Sequence, residues 1–212
     1  MENQIEHFDE VYDDEAEATG WFGPEVLFGL IYKFLNPGQK VLDIGIGTGL
    51  SSELFYKAGL KIYGMDFSDK MLDAVKQKGI TEDLALHDLT ELPYPYSDDY
   101  FDIAVCAGVF NFFEKLGDVF TEVSRILKNN GYFSFVVGHR RSDEDSAVLI
   151  GSEHTGSDRT VTMYRHSGEQ INNWLTEASL KEIRSVEFTV FMDKERRRRI
   201  PAKAYIAQKI SL

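Results

Sequence analysis

The chain has 212 residues, 43% of them apolar and 27% charged, with a formal net charge of −12. That length can bury one substantial core, and the composition is that of a folded protein, which excludes a disordered or fibrous chain. No apolar run approaches a membrane span, the N-terminus lacks the basic and then apolar regions of a secretory leader, and Cys106 stands alone with no disulfide partner and no zinc-site neighbours, so a cytoplasmic protein is expected.

The acidity is concentrated at one end. Residues 1–32 carry nine acids and no Lys or Arg, which leaves 26 acids against 23 bases in the remainder. An acidic arm of this kind repels phosphate backbones and makes nucleic acid a poor partner. The run "KERRRR" (194–199) opposes that trend and reads as a solvated turn between two strands.

In chain order, an acidic arm leads into "GPEVLFGLIYKFL" (23–35), with Pro24 at a helix start and apolar residues spaced for one buried face. After the turn "NPGQK", strands and helices alternate. They read as strand "KVLDIG", helix "GLSSELFYKAG", strand "KIYGMD", helix "SDKMLDAVKQKG", strand "DLALHD", a Pro-containing loop, strand "FDIAVCAG", a helix near 115–128, a turn "NNG" and strand "YFSFVVG". Alternation with short connections predicts parallel strands joined by right-handed crossovers. Residues 139–166 are more polar and irregular and read as a lid or insertion. A capping box, Ser167 with Gln170, then opens a helix, and "KEIRSVEFTVFM" and "AKAYIAQKI" read as a closing antiparallel hairpin. The expected fold is a single α/β domain with a doubly wound, mostly parallel seven-stranded sheet and an antiparallel C-terminal hairpin. Its parts are an arm and helix (1–36), a core (40–138), the insertion (139–166) and a closing unit (167–212).

The stretch "VLDIGIGTGL" carries the chemistry. A dinucleotide fingerprint places its third glycine five residues after the first, whereas Gly45, Gly47 and Gly49 are spaced two and two and residue 50 is Leu. Asp43, read at the mouth of the loop, would repel a pyrophosphate and welcome a ligand bearing an ammonium and a sulfonium. S-adenosylmethionine has both, and glycines admit its close approach to the backbone. Asp66 ends the second strand, where a carboxylate can accept from two ribose hydroxyls. Asp88 ends the third strand and could accept from an adenine amino group while Leu89 donates its backbone N–H. The fourth strand ends in small residues including Ala107. All lie at the carboxyl ends of successive strands, where open α/β sheets place binding crevices.

Residues 40–138 thus resemble a class I S-adenosylmethionine-dependent methyltransferase, in "VLDIGIGTG", "GMDFSDKML", "HDL", "YFDIAVCAGVFNFF" and "ILKNNGYFSFVV". "WFGPEVL" and "YRHSGEQINNWLTEASL" further resemble the small methyltransferase-like proteins related to the Williams-Beuren region member. The resemblance implies a Rossmann-like methyltransferase fold, with Asp43 and the three glycines holding the methionine half of the cofactor, Asp66 the ribose, and Phe67 with Leu89 the faces of the adenine. It implies in-line methyl transfer to a small molecule or a protein side chain, leaving S-adenosylhomocysteine, with no metal and no named catalytic residue. Candidates for acceptor contact are Tyr12 and Trp21 near the arm, Asn111 after strand four, His139 after strand five, and Tyr164 with His166. The last two would share a face if their segment is a strand, and Trp21 would either pack the arm or close the cofactor cavity. Two other readings remain open: an adenosyl-ligand scaffold without turnover, and an NAD-dependent oxidoreductase, which the glycine spacing and Asp43 disfavour.

Overall fold

A computed structural model describes residues 21–150, 161–191, 197 and 199–211. Strands β1 (Lys40–Ile44), β2 (Lys61–Asp66), β3 (Thr81–Leu86), β4 (Phe101–Cys106) and β5 (Leu127–His139) form a parallel unit in the order β3-β2-β1-β4-β5. Helices α1 (Gly23–Ile31), α2 (Leu50–Lys57), α3 (Asp69–Gln77), α4 (Gly117–Ile126) and α5 (Gly168–Glu177) cover it. Ser68 caps α3 by accepting from the Met71 amide, and Ser167 caps α5 by accepting from the Gln170 amide, as its capping sequence predicts.

Side-chain alternation along the strands divides the core into two layers. From β4, Ala104 and Cys106 join α4 and α5 on one face, packed with Phe120, Val123, Ile171 and Leu175. Ile103 and Val105 join α1, α2 and α3 on the other, packed with Leu27, Ile31, Phe55 and Val75. A sheet buried on both faces needs the continuous apolar runs that β4 and β5 carry.

The expected hairpin is present. β8 (Leu180–Phe191) pairs antiparallel with β9 (Arg199–Lys209), and β9 pairs antiparallel with β5 over Tyr132–Gly138. The connecting turn, residues 192–196 and 198, lies outside the described residues, as do the acidic arm with Tyr12 and residues 151–160. No described helix is long and apolar enough to cross a membrane.

Two features differ from the sequence reading. The segment after residue 139 contains a hairpin, β6 (Ala147–Ile150) with β7 (Val161–His166), and β7 continues the sheet by pairing in parallel with Gly138 and His139, so the sheet has nine strands among the described residues. The helix expected near 115–128 ends at Ile126, and "NNG" lies inside β5 instead of forming a turn. Tertiary contacts override the helical periodicity there: Leu127 is fully buried and pairs with Phe101, and the Lys128 ammonium lies 2.7 Å from the Asp102 carboxylate. Asn130 absorbs the irregularity with φ 64°.

The long β3–β4 connection is fastened to α4. The Glu122 carboxylate accepts from the Tyr94 amide at 2.6 Å, and the Arg125 guanidinium donates to the carbonyls of Tyr94 and Tyr96 and to the Asp98 carboxylate. This clamp keeps the Pro-containing loop on the sheet, just past Asp88 and Leu89, which follow β3 where the sequence reading ended the strand at Asp88.

Candidate functional site

The carboxyl ends of β1, β2 and β4 and the residues following β3 converge on one cavity. Its floor is the β1–α2 loop, contributed by Gly45, Ile46, Gly47, Leu50 and Ser51. One wall comes from the end of β2 and the start of α3, with Met65, Asp66, Phe67, Ser68 and Met71. His87, Asp88 and Leu89 add the rim beyond β3, and Ala107, Val109, Phe112 and Phe113 close the side beyond β4. Trp21 and Pro24 cover it from the start of α1.

The glycine loop consumes its own donors. The amides of Gly45 and Ile46 both donate to the Met65 carbonyl, at 2.8 and 3.1 Å, and the Gly49 amide donates to the Ile46 carbonyl at 2.9 Å. The Gly47 amide donates to Asp66 Oδ2 at 2.9 Å. A phosphate cradle needs such amides aimed at the ligand, and here four of them are already committed to the protein. The charged side chains of the described wall are Asp66 and Asp88, and no Lys or Arg is among them. The arrangement therefore favours a ligand with positive charge and hydroxyl donors over a diphosphate.

Asp66 connects two elements. Oδ2 takes the Gly47 amide and Oδ1 takes the Ser68 amide at 3.0 Å, so one carboxylate joins the glycine loop to the turn into α3. Asp88 Oδ1 accepts from the amide and hydroxyl of Thr90, at 2.8 and 2.7 Å, which orients it at the rim. Leu89 is buried, and its carbonyl accepts from the Tyr94 hydroxyl.

Two of the residues expected to hold the ligand lie elsewhere. Asp43 is not at the mouth of the loop: it is 2% exposed, does not line the cavity and accepts from the Ser52 hydroxyl at 2.7 Å. Gly49 is also off the cavity wall; it begins α2 with φ 88° and packs against Val75.

Burial pushes the Asp43 carboxyl up to about 7, with the Ser52 hydroxyl opposing that rise and the nearby Asp66 adding to it. A carboxyl raised in the folded state stabilises below the ordinary carboxylate range, and that contribution is lost as pH rises through about 7. The melting temperature is therefore expected to fall as pH climbs from 5 to 8, and Asp43→Asn, whose amide oxygen can still accept from Ser52, is expected to flatten that slope. An equally steep slope in the variant would show that other groups set it.

The expected acceptor contacts are dispersed. Trp21 lines the main cavity and also a smaller second one, which Asn111 and Tyr164 line as well. Asn111 Oδ1 accepts from the Gly138 amide at 2.7 Å, tying the turn after β4 to β5. His139 lines neither cavity; its Nε2 lies 3.4 Å from the Glu187 carboxylate on β8. Tyr164 and His166 do fall on one strand, β7, yet His166 is buried against Trp174 with Nε2 3.0 Å from the Phe113 carbonyl. Burial lowers its pKa to about 4 against the pull of the Phe113 and Glu114 carbonyls, so the ring is neutral and fixes the loop that carries Phe113.

Residue spacing gave no sign of Leu50, Met71, Phe112 or Phe113 at the cavity. They are apolar residues on helices and a short 3₁₀ turn, and only tertiary packing distinguishes them from core. His87, which carried no sequence signal, sits on the rim with Nε2 2.8 Å from the Glu91 carbonyl.

Comparison with known proteins places these features in a family context. The sequence family described as a methyltransferase domain matches residues 42–135, the span that builds the cavity floor and walls. A ubiquinone biosynthesis O-methyltransferase of Haemophilus ducreyi is 25% identical over 209 residues, covering 85% of this chain and 87% of that protein. Among solved structures, an S-adenosylmethionine-dependent methyltransferase of Methanosarcina mazei superposes with a TM-score of 0.72 at 18% identity, covering 86% of this chain and 97% of the other. The 1,6-didemethyltoxoflavin-N1-methyltransferase of Burkholderia thailandensis, solved with 1,6-didemethyltoxoflavin and S-adenosylhomocysteine bound, gives 0.65 at 17% identity, covering 95% of this chain and 82% of that one.

Proposed function

We propose that this chain, an S-adenosylmethionine-dependent methyltransferase built on the class I fold, methylates a small organic acceptor. The cavity fits the cofactor on its own geometry. A Cβ at Gly47 would meet no protein atom within 4 Å, so the bareness of that position keeps space in the cleft clear and is not required by packing. Asp66 would hold the ribose, and Asp88 with Leu89 the adenine, whose faces would lie against Phe67. Gly47 and Ala107 leave room along the loop and the end of β4, whereas the bareness of Gly45 admits the Val109 side chain. Asp43 supports the loop from below and shapes its electrostatics without contact.

Bound there, the cofactor supplies a methyl group on a sulfonium, already a good leaving group. The protein then needs chiefly to align the acceptor and exclude water, and such positioning is worth roughly 7–11 kcal/mol in favourable systems. Phe112, Phe113, Val109 and Trp21 supply that apolar enclosure.

The observation that carries the small-molecule reading is this enclosure: an aromatic wall from the turn after β4 and a Trp21 cover leave a cleft instead of an open groove for a protein segment. The Haemophilus ducreyi and Burkholderia thailandensis proteins named above are consistent with it, since their names place them in ubiquinone biosynthesis and toxoflavin methylation. The resemblance of "WFGPEVL" and "YRHSGEQINNWLTEASL" is the ground for further proposing a place near the Williams-Beuren-related methyltransferase-like proteins.

Incubation of cell extract with methyl-labelled cofactor tests the reading. Label is expected in the small-molecule fraction with the unaltered chain and to be absent with Gly47→Ala. Label confined to protein would overturn the acceptor class, and no label from any extract would favour a scaffold that binds without turnover.

A further inference from the structure

The second cavity differs in chemistry from the first. It lies between the β6–β7 hairpin and the ends of β5, β8 and β9, with apolar walls from Val136, Val148, Met163, Val190, Ile200 and Ala202. Trp21 belongs to both cavities, so the two adjoin across its indole.

Its polar side chains are those of Asn111, Tyr164 and Arg165, beside the Trp21 indole. Asn111 commits Oδ1 to the Gly138 amide, which leaves the Nδ2 hydrogens without a partner among the described residues. Arg165 is held from outside: its Nη2 donates to the Asp145 carbonyl at 2.9 Å, and its Nη1 lies 3.8 Å from Glu144, which is not part of the wall. The Arg165 Nε is buried and has no hydrogen-bond partner among the described residues. A buried guanidinium N–H without an acceptor is costly unless a ligand provides one, and no Asp or Glu is among the described wall residues. Among the described residues, the wall of the first cavity has carboxylates and no Lys or Arg, and that of the second has Arg165 and no carboxylate.

We infer that the smaller cavity is a subsite for the methyl acceptor, taking a compact apolar group that carries a carboxylate or phenolate oxygen, with Arg165 and Asn111 donating to that oxygen. The rest of the acceptor extends past Trp21 toward the larger cavity. The inference rests on reading the larger cavity as the cofactor site. It gives the β6–β7 hairpin a role in specificity, because Val148, Met163 and Arg165 all come from it. Arg165 acts here as a binding residue, and no proton transfer is assigned to it.

Calorimetric titration of the protein saturated with S-adenosylhomocysteine, using benzoate, benzyl alcohol and benzylamine, tests the subsite. Benzoate is expected to bind at least roughly tenfold more tightly than benzylamine, as expected for a hydrogen bond to a charged group. Arg165→Gln should remove that preference while S-adenosylhomocysteine affinity stays within about twofold, and Val148→Phe, which fills the cavity, should weaken benzoate with the same sparing of the nucleoside. Equal binding of benzoate and benzylamine, or a benzoate preference that survives Arg165→Gln, would overturn the inference. Should Arg165→Gln fail to fold, Val148→Phe decides alone: weakened benzoate supports the subsite and unchanged benzoate removes it. Binding of S-adenosylhomocysteine without any benzoate binding sinks this inference alone, whereas absence of S-adenosylhomocysteine binding sinks the reading of the larger cavity and this one with it.

Discussion

Gly47→Ala is expected to weaken S-adenosylhomocysteine binding by roughly a hundredfold, about 3 kcal/mol, while the chain stays folded. The backbone there has φ 53°, and an added methyl meets no protein atom within 4 Å. Its cost to the empty protein is therefore only the left-handed conformation of a residue with a Cβ, about 1–2 kcal/mol. The same methyl would enter the space the ligand needs. Gly49→Ala makes the opposite case. Its Cβ would lie 2.7 Å from Val75 Cγ2 with φ 88°, so it forces the interface between α2 and α3 apart. Overpacking of this kind costs about 1–3 kcal/mol beyond the backbone strain. Gly49→Ala should lower the melting temperature more than Gly47→Ala, and Gly47→Ala should lose more affinity. Parallel melting curves and titrations check the pair, and normal binding by Gly47→Ala would remove that position from the ligand site.

Asp66→Ala is expected to lose both ligand affinity and stability. The carboxylate accepts from the Gly47 and Ser68 amides, and hydrogen bonds to charged groups contribute about 1.5–3 kcal/mol each, so a loss of roughly 3 kcal/mol of stability is expected. Binding should fall by roughly a hundredfold or more, because the loop loses its anchor as well as the ribose acceptor. The substitution also removes a negative charge that helps to raise the Asp43 carboxyl. The pH at which stability declines should consequently move down in Asp66→Ala. An unaltered pH profile would argue against electrostatic coupling between the two carboxylates, and unaltered affinity would argue against the ribose assignment.

The strand, glycine-loop and helix succession was legible because local patterning and burial agree along β1, α2, β2 and α3. Once the strand ends were placed, Asp66, Asp88, Leu89 and Ala107 fell at one edge of the sheet by topology alone. Asp43 was misplaced because residue type suggests a carboxylate facing solvent or ligand, whereas β1 buries it and Ser52, nine residues later, supplies its hydrogen bond. Gly49 was grouped with its neighbours by spacing, although packing against Val75 and Ile80 is what requires it to be bare. The β6–β7 hairpin was hidden by its brevity and polar flanks: β6 is four residues long, and Leu149 within it is 70% exposed. His139 and His166 looked similar in sequence, yet one faces Glu187 and the other holds the Phe113 loop, through contacts 48 and 53 residues apart that no local pattern encodes.

The central claim is that the main cavity receives an adenosyl ligand bearing positive charge and not a diphosphate-bridged dinucleotide. Calorimetric titration of the purified chain with S-adenosylhomocysteine, S-adenosylmethionine and NAD tests it most directly. Both adenosyl-sulfur compounds should bind, with the sulfonium form the tighter as pH rises through the Asp43 transition, and NAD should give no saturable heat. Saturable NAD binding with none from either adenosyl-sulfur compound would contradict the account.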